Sequence, residues 1–252
     1  MKDIISYFFI FRRWLLVRIW PPKFWPLEIY LDGVSIPIRY APFSFGTKWI
    51  LCKRKYEAEE RKLLEPILKR GMQVLEMGSS IGIVTAIIAD KIGNDGKMIA
   101  IEASETLVNY SLKWLAKYPQ LQLIHGFAFP VANAPGIQIE SFDEARGSLG
   151  GVVAFGKVSS EEMSDERVWD IGRVCRHFNL NPELLVVDIE GSESIMASTP
   201  PDLPVSVKYV LIEFHPGLLP AGKRDVETIK DSLEIEGFHL KESSYSVYLF
   251  ER

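Results

Sequence analysis

One stretch of the chain, residues 74–82 (VLEMGSSIG), constrains the fold more than any other. An apolar strand runs into a glycine turn, and the turn opens an apolar helix. A second apolar strand then ends in an acid, Glu102, about twenty residues past Gly82. This layout is typical of a βαβ unit that binds an adenosine-containing cofactor. Glycines let the backbone approach the ligand, the helix N-terminus favours an anionic group, and the acid holds the ribose hydroxyls.

The glycine spacing discriminates between two cofactor classes. A dinucleotide-binding turn has the pattern G-x-G-x-x-G, with a second glycine where the pyrophosphate rests. Here Gly78 and Gly82 are spaced G-x-x-x-G and follow Glu76. That pattern looks like the first motif of class I methyltransferases, which bind S-adenosylmethionine, and Glu76 would help to hold the cofactor's ammonium group, directly or through water. The alternative is a βαβ unit with a tight turn and no ligand.

Composition and charge narrow the class of protein. The chain has 252 residues, 47% of them apolar, and can bury one sizeable core. Residues 1–55 carry a net charge of +7, which leaves −11 on the remainder because the whole chain carries −4. This distribution argues against a nucleic-acid binder, whose basic surface would surround the active cleft. Cys52 and Cys175 lie far apart, without metal or disulfide spacing, which is consistent with a cytoplasmic protein.

The N-terminal segment, residues 1–26, is basic and aromatic. Its arginines would each cost about 2.5–3.5 kcal/mol near a bilayer centre, which disfavours a transmembrane helix. A signal peptide is also disfavoured, because no cleavage site follows the segment. Two interpretations stay open: a helix in the membrane interface, giving peripheral membrane contact, and a helix packed on the domain or a subunit neighbour. A hairpin and linker over residues 27–55 and a catalytic domain over residues 56–252 complete the predicted organisation.

Strand and helix patterns alternate through the catalytic domain. The predicted fold is α/β: a class I methyltransferase (Rossmann-like), mostly parallel seven-stranded sheet with helices on both faces and an antiparallel terminal strand. A hairpin is expected within 28–40 and a small β insertion over 125–165. The predicted helices lie at 56–69, 105–117, 166–178 and 224–236, and a short helix begins at Ser192. The later strands are predicted at 121–124, 184–188 and 209–213, and a hairpin at 237–250 closes the chain.

A second set of charged residues follows two later strands. Asp188 and Glu190 end one strand, and Glu213 and His215 end the next. Ligands of open α/β sheets bind at the C-terminal ends of the strands, so these side chains are expected to face one pocket. Glu190 could instead cap the following turn, and His215 could be a turn residue only. Glu193 is expected in a first helical turn, where it would stabilise the helix dipole.

The segment LLVVDIEGSE, with EFH downstream and KYEAEERKLL upstream of EMGSSIG, resembles the FkbM family of methyltransferases over about residues 50–240. The resemblance implies an S-adenosylmethionine-dependent enzyme that methylates hydroxyl oxygens of sugars, glycans or small metabolites. Many members have a lysine where this chain has Val186, so its chemistry or acceptor could differ. The cofactor residues that the resemblance implies are Glu76, Gly78, Gly82 and Glu102, with Tyr56 as a cap over the cofactor. We add Ser80, in the glycine turn, as a further cofactor residue. Phe127 is also added, and its ring is expected either to stack on the adenine or to lie in the core. The implied active-site residues are Asp188, Glu190, Glu213 and His215.

Methyl transfer from a sulfonium is an in-line displacement, and an alcohol acceptor needs a base. Asp188 is the first candidate for that base and His215 the second. A divalent metal held by Asp188, Glu190 and Glu213 is the less favoured alternative, and the site is predicted to work without one. The sequence therefore predicts a methyltransferase with a small-molecule or glycan acceptor. The competing prediction is a non-catalytic S-adenosylmethionine-binding protein that uses the fold as a scaffold.

Overall fold

The structure is a computed structural model that describes residues 24–41, 43–132, 137–143, 152–157 and 166–252. Its contacts divide the chain into two compact units, Met1–Tyr56 and Glu57–Arg252. The predicted N-terminal membrane segment lies outside the described residues, apart from residues 24–26. No helix among the described residues is long and apolar enough to cross a bilayer.

The first unit contains a β-hairpin and a helix. Strand β1 (Glu28–Leu31) pairs antiparallel with β2 (Val34–Pro37). The two linking residues, Asp32 and Gly33, have φ angles of +46° and +91°, as the two-residue turn of a tight hairpin requires. The predicted hairpin is therefore confirmed. Helix α1 (Phe45–Cys52) follows, and the hydroxyl of its N-cap Ser44 accepts a hydrogen bond from the backbone of Thr47.

The second unit is built on a seven-stranded sheet in the order β12-β13-β11-β10-β3-β4-β5. Every pairing in it is parallel except those made by β13, which runs antiparallel to both neighbours. This confirms the predicted class I methyltransferase fold. In chain order the elements are α2 (Ala58–Leu64), β3 (Gln73–Met77), α3 (Ile83–Ile92), β4 (Lys97–Glu102), α4 (Glu105–Leu115), β5 (Leu121–His125), β6 (Phe127–Phe129), β7 (Ile137–Asp143), β8 (Val152–Lys157), β9 (Val168–Asp170), α5 (Ile171–Phe178), β10 (Leu184–Val187), α6 (Ile195–Ser198), β11 (Tyr209–Glu213), α7 (Lys223–Ile235), β12 (His239–Ser244) and β13 (Val247–Glu251).

Alternate residues of the central strands face two different helical layers. Leu75 and Leu185 belong to a core cluster that includes residues of α5, α6 and α7. Val74 and Val186 face the opposite way and belong to a cluster with residues of α2 and α3. Because helices cover both faces, polar groups of the central strands can reach a ligand only where the strands end.

Two helices begin or end differently from the prediction. The helix expected at 56–69 covers only Ala58–Leu64, because Pro66 has no backbone N–H with which to continue the helical hydrogen bonds. The helix expected at 166–178 begins at Ile171, because residues 168–170 pair parallel with β6. Asp170 caps that helix by accepting a hydrogen bond from the backbone of Arg173. Within the predicted β insertion, the described residues include the antiparallel pair β7 and β8.

The packing of β10 yields a stability prediction. Leu185 is fully buried, so Leu185→Ala should lower the free energy of unfolding by about 2–5 kcal/mol by leaving a cavity. Ile235 is 86% exposed, so Ile235→Ala should change that free energy by less than about 0.5 kcal/mol. Urea unfolding followed by circular dichroism measures both variants, and equal losses would contradict this core.

Candidate active site

The glycine turn after β3 lies directly against the end of β10. Gly78 has φ +88°, and a Cβ atom placed on it would lie 1.7 Å from the carbonyl oxygen of Asp188. The backbone N–H of Asp188 in turn donates to the carbonyl of Met77 at 2.9 Å. Gly82, with φ +79°, faces α4, where its Cβ would lie 2.8 Å from Leu115 Cδ1. The packing of the protein itself therefore requires both glycines, which the sequence reasoning attributed to ligand approach.

Glu102 orders the same turn from the neighbouring strand. Its buried carboxylate accepts hydrogen bonds from the backbone N–H of Ser80 at 2.7 Å and of Ser104 at 2.8 Å. Ser80, predicted to bind the cofactor, adopts a left-handed backbone at φ +47°. Each carboxylate oxygen has two lone pairs, so these bonds leave Glu102 able to accept from ribose hydroxyls as well.

Glu76 lies on β3, two residues before Gly78. It is 1% exposed, and its Oε2 accepts a hydrogen bond from the hydroxyl of Thr85 on α3 at 2.6 Å. Burial raises the pKa of Glu76 to about 8, against the Thr85 hydrogen bond and with a smaller contribution from Glu102. The carboxyl is therefore mostly protonated at neutral pH, which weakens the case for direct contact with an ammonium group. That contact stays a prediction.

The other two predicted cofactor residues are buried as well. Phe127, on β6, is 5% exposed, and the guanidinium of Arg167 lies 5.7 Å from its ring centroid. Phe127 thus has the surroundings of a core residue, the second of its two predicted placements, and adenine stacking stays a prediction. Tyr56 is buried and is the last residue of the first unit. Its predicted role as a cofactor cap stays a prediction too.

Unpaired polar atoms around the turn test whether a polar cofactor fits there. The hydroxyl of Ser79 is buried and has no hydrogen-bond partner among the residues that the structure describes. Ser111 Oγ and Trp114 Nε1 on α4 are also buried and unpaired, and both residues pack against Gly82. A buried polar group without a partner costs about 1–3 kcal/mol, which a bound ligand recovers by hydrogen bonding to it. The Ser79 hydroxyl and the Glu102 carboxylate fit a ligand with ribose and other polar groups.

A cluster of carboxyl groups surrounds one imidazole at the ends of β10 and β11. The ring nitrogen Nε2 of His215 lies 3.7 Å from Asp188 Oδ1 and 3.7 Å from Glu190 Oε2. Glu213, at the end of β11, accepts a hydrogen bond from Ser246 Oγ at 2.8 Å. Ligating atoms of Asp188, Glu213 and His215 lie within 4.8 Å of one another, near enough to share one small cation. The structure thus brings the four predicted active-site residues together.

Two further acids belong to this cluster and were missed. Glu193 is fully buried, and its Oε1 accepts from His215 Nδ1 at 3.1 Å, so it does more than stabilise a helix dipole. Glu60 is 5% exposed and reaches the cluster from α2. A signal for Glu60 was present in the sequence. It stands at helical spacing from Leu63, Leu64 and Ile67, on the apolar face of its helix.

The charges of this cluster are strongly coupled. Burial, together with a hydrogen bond and repulsion from Glu213, raises the pKa of Glu60 to about 9. Burial and Glu213 also raise the pKa of Asp188 well above its ordinary value, while His215 opposes the shift. Burial lowers the pKa of His215, but Glu193, Asp188 and Glu190 outweigh it and raise that pKa to about 9. At neutral pH, Glu60 is therefore protonated and His215 is an imidazolium.

A polar cleft opens beside the cluster. It has a volume of about 310 Å³, the size of a small ligand. The residues that line it are Glu57, Glu59, Glu60, Glu213, Tyr245, Ser246 and Val247. Acceptor groups outnumber apolar ones on these walls, so the cleft suits a hydroxyl-rich or cationic molecule better than an apolar one.

Comparison with known proteins finds similarity to methyltransferases. The family profile for protein-L-isoaspartate(D-aspartate) O-methyltransferase (PCMT) matches residues 33–128. Protein-L-isoaspartate O-methyltransferase 1 of Arabidopsis thaliana is 37% identical over 73 residues, which cover 29% of this chain and 32% of the relative. The chain thus spans about a third of that relative's length. These matches do not confirm the FkbM resemblance, which stays a prediction.

Two solved structures are similar at low sequence identity. Aeropyrum pernix fibrillarin in complex with S-adenosyl-L-methionine has 14% identity and a TM-score of 0.46, over 75% of this chain and 72% of that one. A TehB-like methyltransferase of Corynebacterium glutamicum has 13% identity and a TM-score of 0.45, over 82% and 96% of the two chains. Because these scores are low, the fold assignment rests on the strand order and directions of the sheet.

The contact between Gly78 and Asp188 can be tested against a matched glycine. Gly237 also has φ +88°, but no atom of the described part of the chain lies within 4 Å of the position its Cβ would take. Gly237→Ala should therefore cost only the left-handed strain of about 1–2 kcal/mol in the free energy of unfolding. Gly78→Ala adds a clash with backbone and should cost clearly more by urea unfolding. Similar costs for the two variants would show that the strand ends are not in close contact.

Proposed function

We propose that the protein is an S-adenosylmethionine-dependent methyltransferase that methylates a hydroxyl oxygen of a sugar, glycan or small metabolite. The observation that carries the proposal is the contact between Gly78 and Asp188. It brings Asp188, whose carboxylate is a predicted active-site group, next to the turn, where the Ser79 hydroxyl and the carboxylate of Glu102 fit the cofactor. The methyltransferase family matched by residues 33–128 supports methyl transfer, but not the choice of a hydroxyl acceptor.

The bound cofactor would supply a methyl group activated by its sulfonium. Glu102 and Ser79 would hold the polar parts of that cofactor at the turn. Asp188 would accept the proton that the acceptor hydroxyl loses when its oxygen takes the methyl group that the cofactor would supply. Its raised pKa makes it a stronger base than an ordinary aspartate. His215, as an imidazolium, offsets the negative charge of the neighbouring carboxylates.

The acceptor class is inferred from the charges at the cluster. A carboxylate acceptor, as the name of the Arabidopsis relative indicates for that protein, would enter beside Asp188 and be disfavoured by the negative field of Glu190 and Glu213, which also raises the pKa of Asp188. A carboxylate is already ionised at neutral pH and needs no base, whereas a hydroxyl does. The cluster therefore favours a neutral hydroxyl over a carboxylate. Protein carboxyl methylation is the second candidate, favoured by the family match.

Binding and turnover can be separated by substitution. Asp188→Asn should leave S-adenosylmethionine affinity largely unchanged by calorimetry, because Asp188 acts on the acceptor. The same variant should lower methyl transfer from labelled cofactor into an acceptor-containing cell extract by about 10²- to 10⁴-fold. Glu102→Ala should weaken cofactor binding about tenfold or more, because hydrogen bonds to a charged group contribute about 1.5–3 kcal/mol.

Asp231→Asn is the matched control for these measurements, since Asp231 is exposed on α7. It should bind and turn over like the wild type. Cofactor binding with no transfer into any extract would favour the non-catalytic scaffold, the alternative already raised by the sequence. Absence of binding by the wild type would contradict both functions.

The two acceptor classes make opposite predictions for a peptide assay. A synthetic peptide with an L-isoaspartyl residue should gain no methyl group above the enzyme-free background, because its carboxylate is repelled by the cluster. The deproteinised metabolite and glycan fraction should gain label, read by mass spectrometry as the addition of one methyl group. Labelling of the peptide, with none in the metabolite and glycan fraction, would instead favour protein carboxyl methylation.

A further inference from the structure

One buried contact in the cluster is not needed for the transfer step described above. Glu193 is fully buried, and its Oε1 accepts two hydrogen bonds, from His215 Nδ1 at 3.1 Å and from the backbone N–H of Ile189 at 3.2 Å. A single oxygen of Glu193 thus connects Ile189, in the segment after β10, with His215, two residues past the end of β11. The ring's other nitrogen, Nε2, faces Asp188 and Glu190.

We propose that Glu193 is a positioning residue, which holds the His215 ring so that the N–H of Nε2 faces Asp188 and Glu190. The proposal rests on the proposed methyl transfer, in which Asp188 takes the proton. A histidine ring without a partner on Nδ1 can rotate and exchange its two nitrogens. A carboxylate on Nδ1 fixes both the tautomer and the orientation.

The surrounding charges give the contact a pH signature. The titratable groups that face His215 are Glu193 from the turn before α6, Asp188 and Glu190 from the segment after β10, and Glu213 from β11. Burial favours the neutral ring, but Glu193 contributes most against it, so the ring keeps its proton up to about pH 9. Above that pH the N–H of Nε2 is lost, and with it the positive charge that offsets the carboxylates of Asp188 and Glu190. Activity should therefore fall along an alkaline limb.

The variant Glu193→Gln separates charge and orientation from simple packing. Glutamine keeps an oxygen that can accept from Nδ1 and from Ile189, but it removes the charge. We expect the alkaline limb of kcat/KM to move down by about 1–3 pH units from the wild-type position near 9. Glu227→Gln, at a glutamate that is 67% exposed on α7, should leave the limb in place. A lower kcat with an unmoved limb would show that Glu193 is merely structural.

A titration of the wild-type protein followed by NMR tests the contact without turnover and without relying on the variant's folding. The chain has four histidines, and backbone assignment identifies the ring of His215. We expect that ring to carry its proton on Nδ1 and to titrate near pH 9. Titration near its ordinary 6.5 would overturn the proposal. If the ring titrates as expected but the protein neither binds nor uses S-adenosylmethionine, the contact stands and the proposed function fails.

Discussion

The close approach of two strand ends determines the arrangement of the whole site. Gly78 and the carbonyl of Asp188 leave no room for a side chain between the turn after β3 and the segment after β10. The N–H of Asp188 bonds to Met77 at the same point, which extends the parallel pairing one residue past β10. Any separation of these ends would move the Asp188 carboxylate away from the turn. The geometry that favours methyl transfer is thus set by backbone packing between neighbouring strands.

The second constraint is the cost of gathering acids in a partly buried place. Burying a charge without compensation costs several kcal/mol, so such groups are protonated or paired. Here both solutions occur side by side. Glu60 keeps its proton and bonds to Glu213, while His215 carries a positive charge among Glu193, Asp188 and Glu190. The charges of the cluster are therefore partly balanced before any ligand binds, and the cluster does not need a bound anion to balance them. A neutral acceptor and a sulfonium-bearing cofactor suit that balance, whereas an acidic acceptor does not.

Much of this architecture could be predicted from local sequence patterns. Apolar runs predict the central strands within about two residues, and the positions of the strand ends correctly group Asp188 and Glu190 with His215. What could not be read locally depends on tertiary contacts. The clash partner of Gly78 stands more than a hundred residues away, and strand β9 exists because it pairs with β6. The sequence around Glu193 predicts only a helix-dipole role, because nothing in that segment indicates that its partner is a histidine after another strand.

The family match and the acid cluster lie in different halves of the sheet. The PCMT match stops at residue 128, before β10 and β11 begin, so it covers the turn and Glu102 but none of Asp188, Glu193 and His215. Proteins that bind one cofactor share the constraints of its binding turn, whatever they methylate. In the proposed function, side chains after the later strands select the acceptor, and the match to residues 33–128 does not reach them. The proposal of a hydroxyl acceptor therefore rests on the charges around His215, which lie in the part of the chain that the family match does not cover.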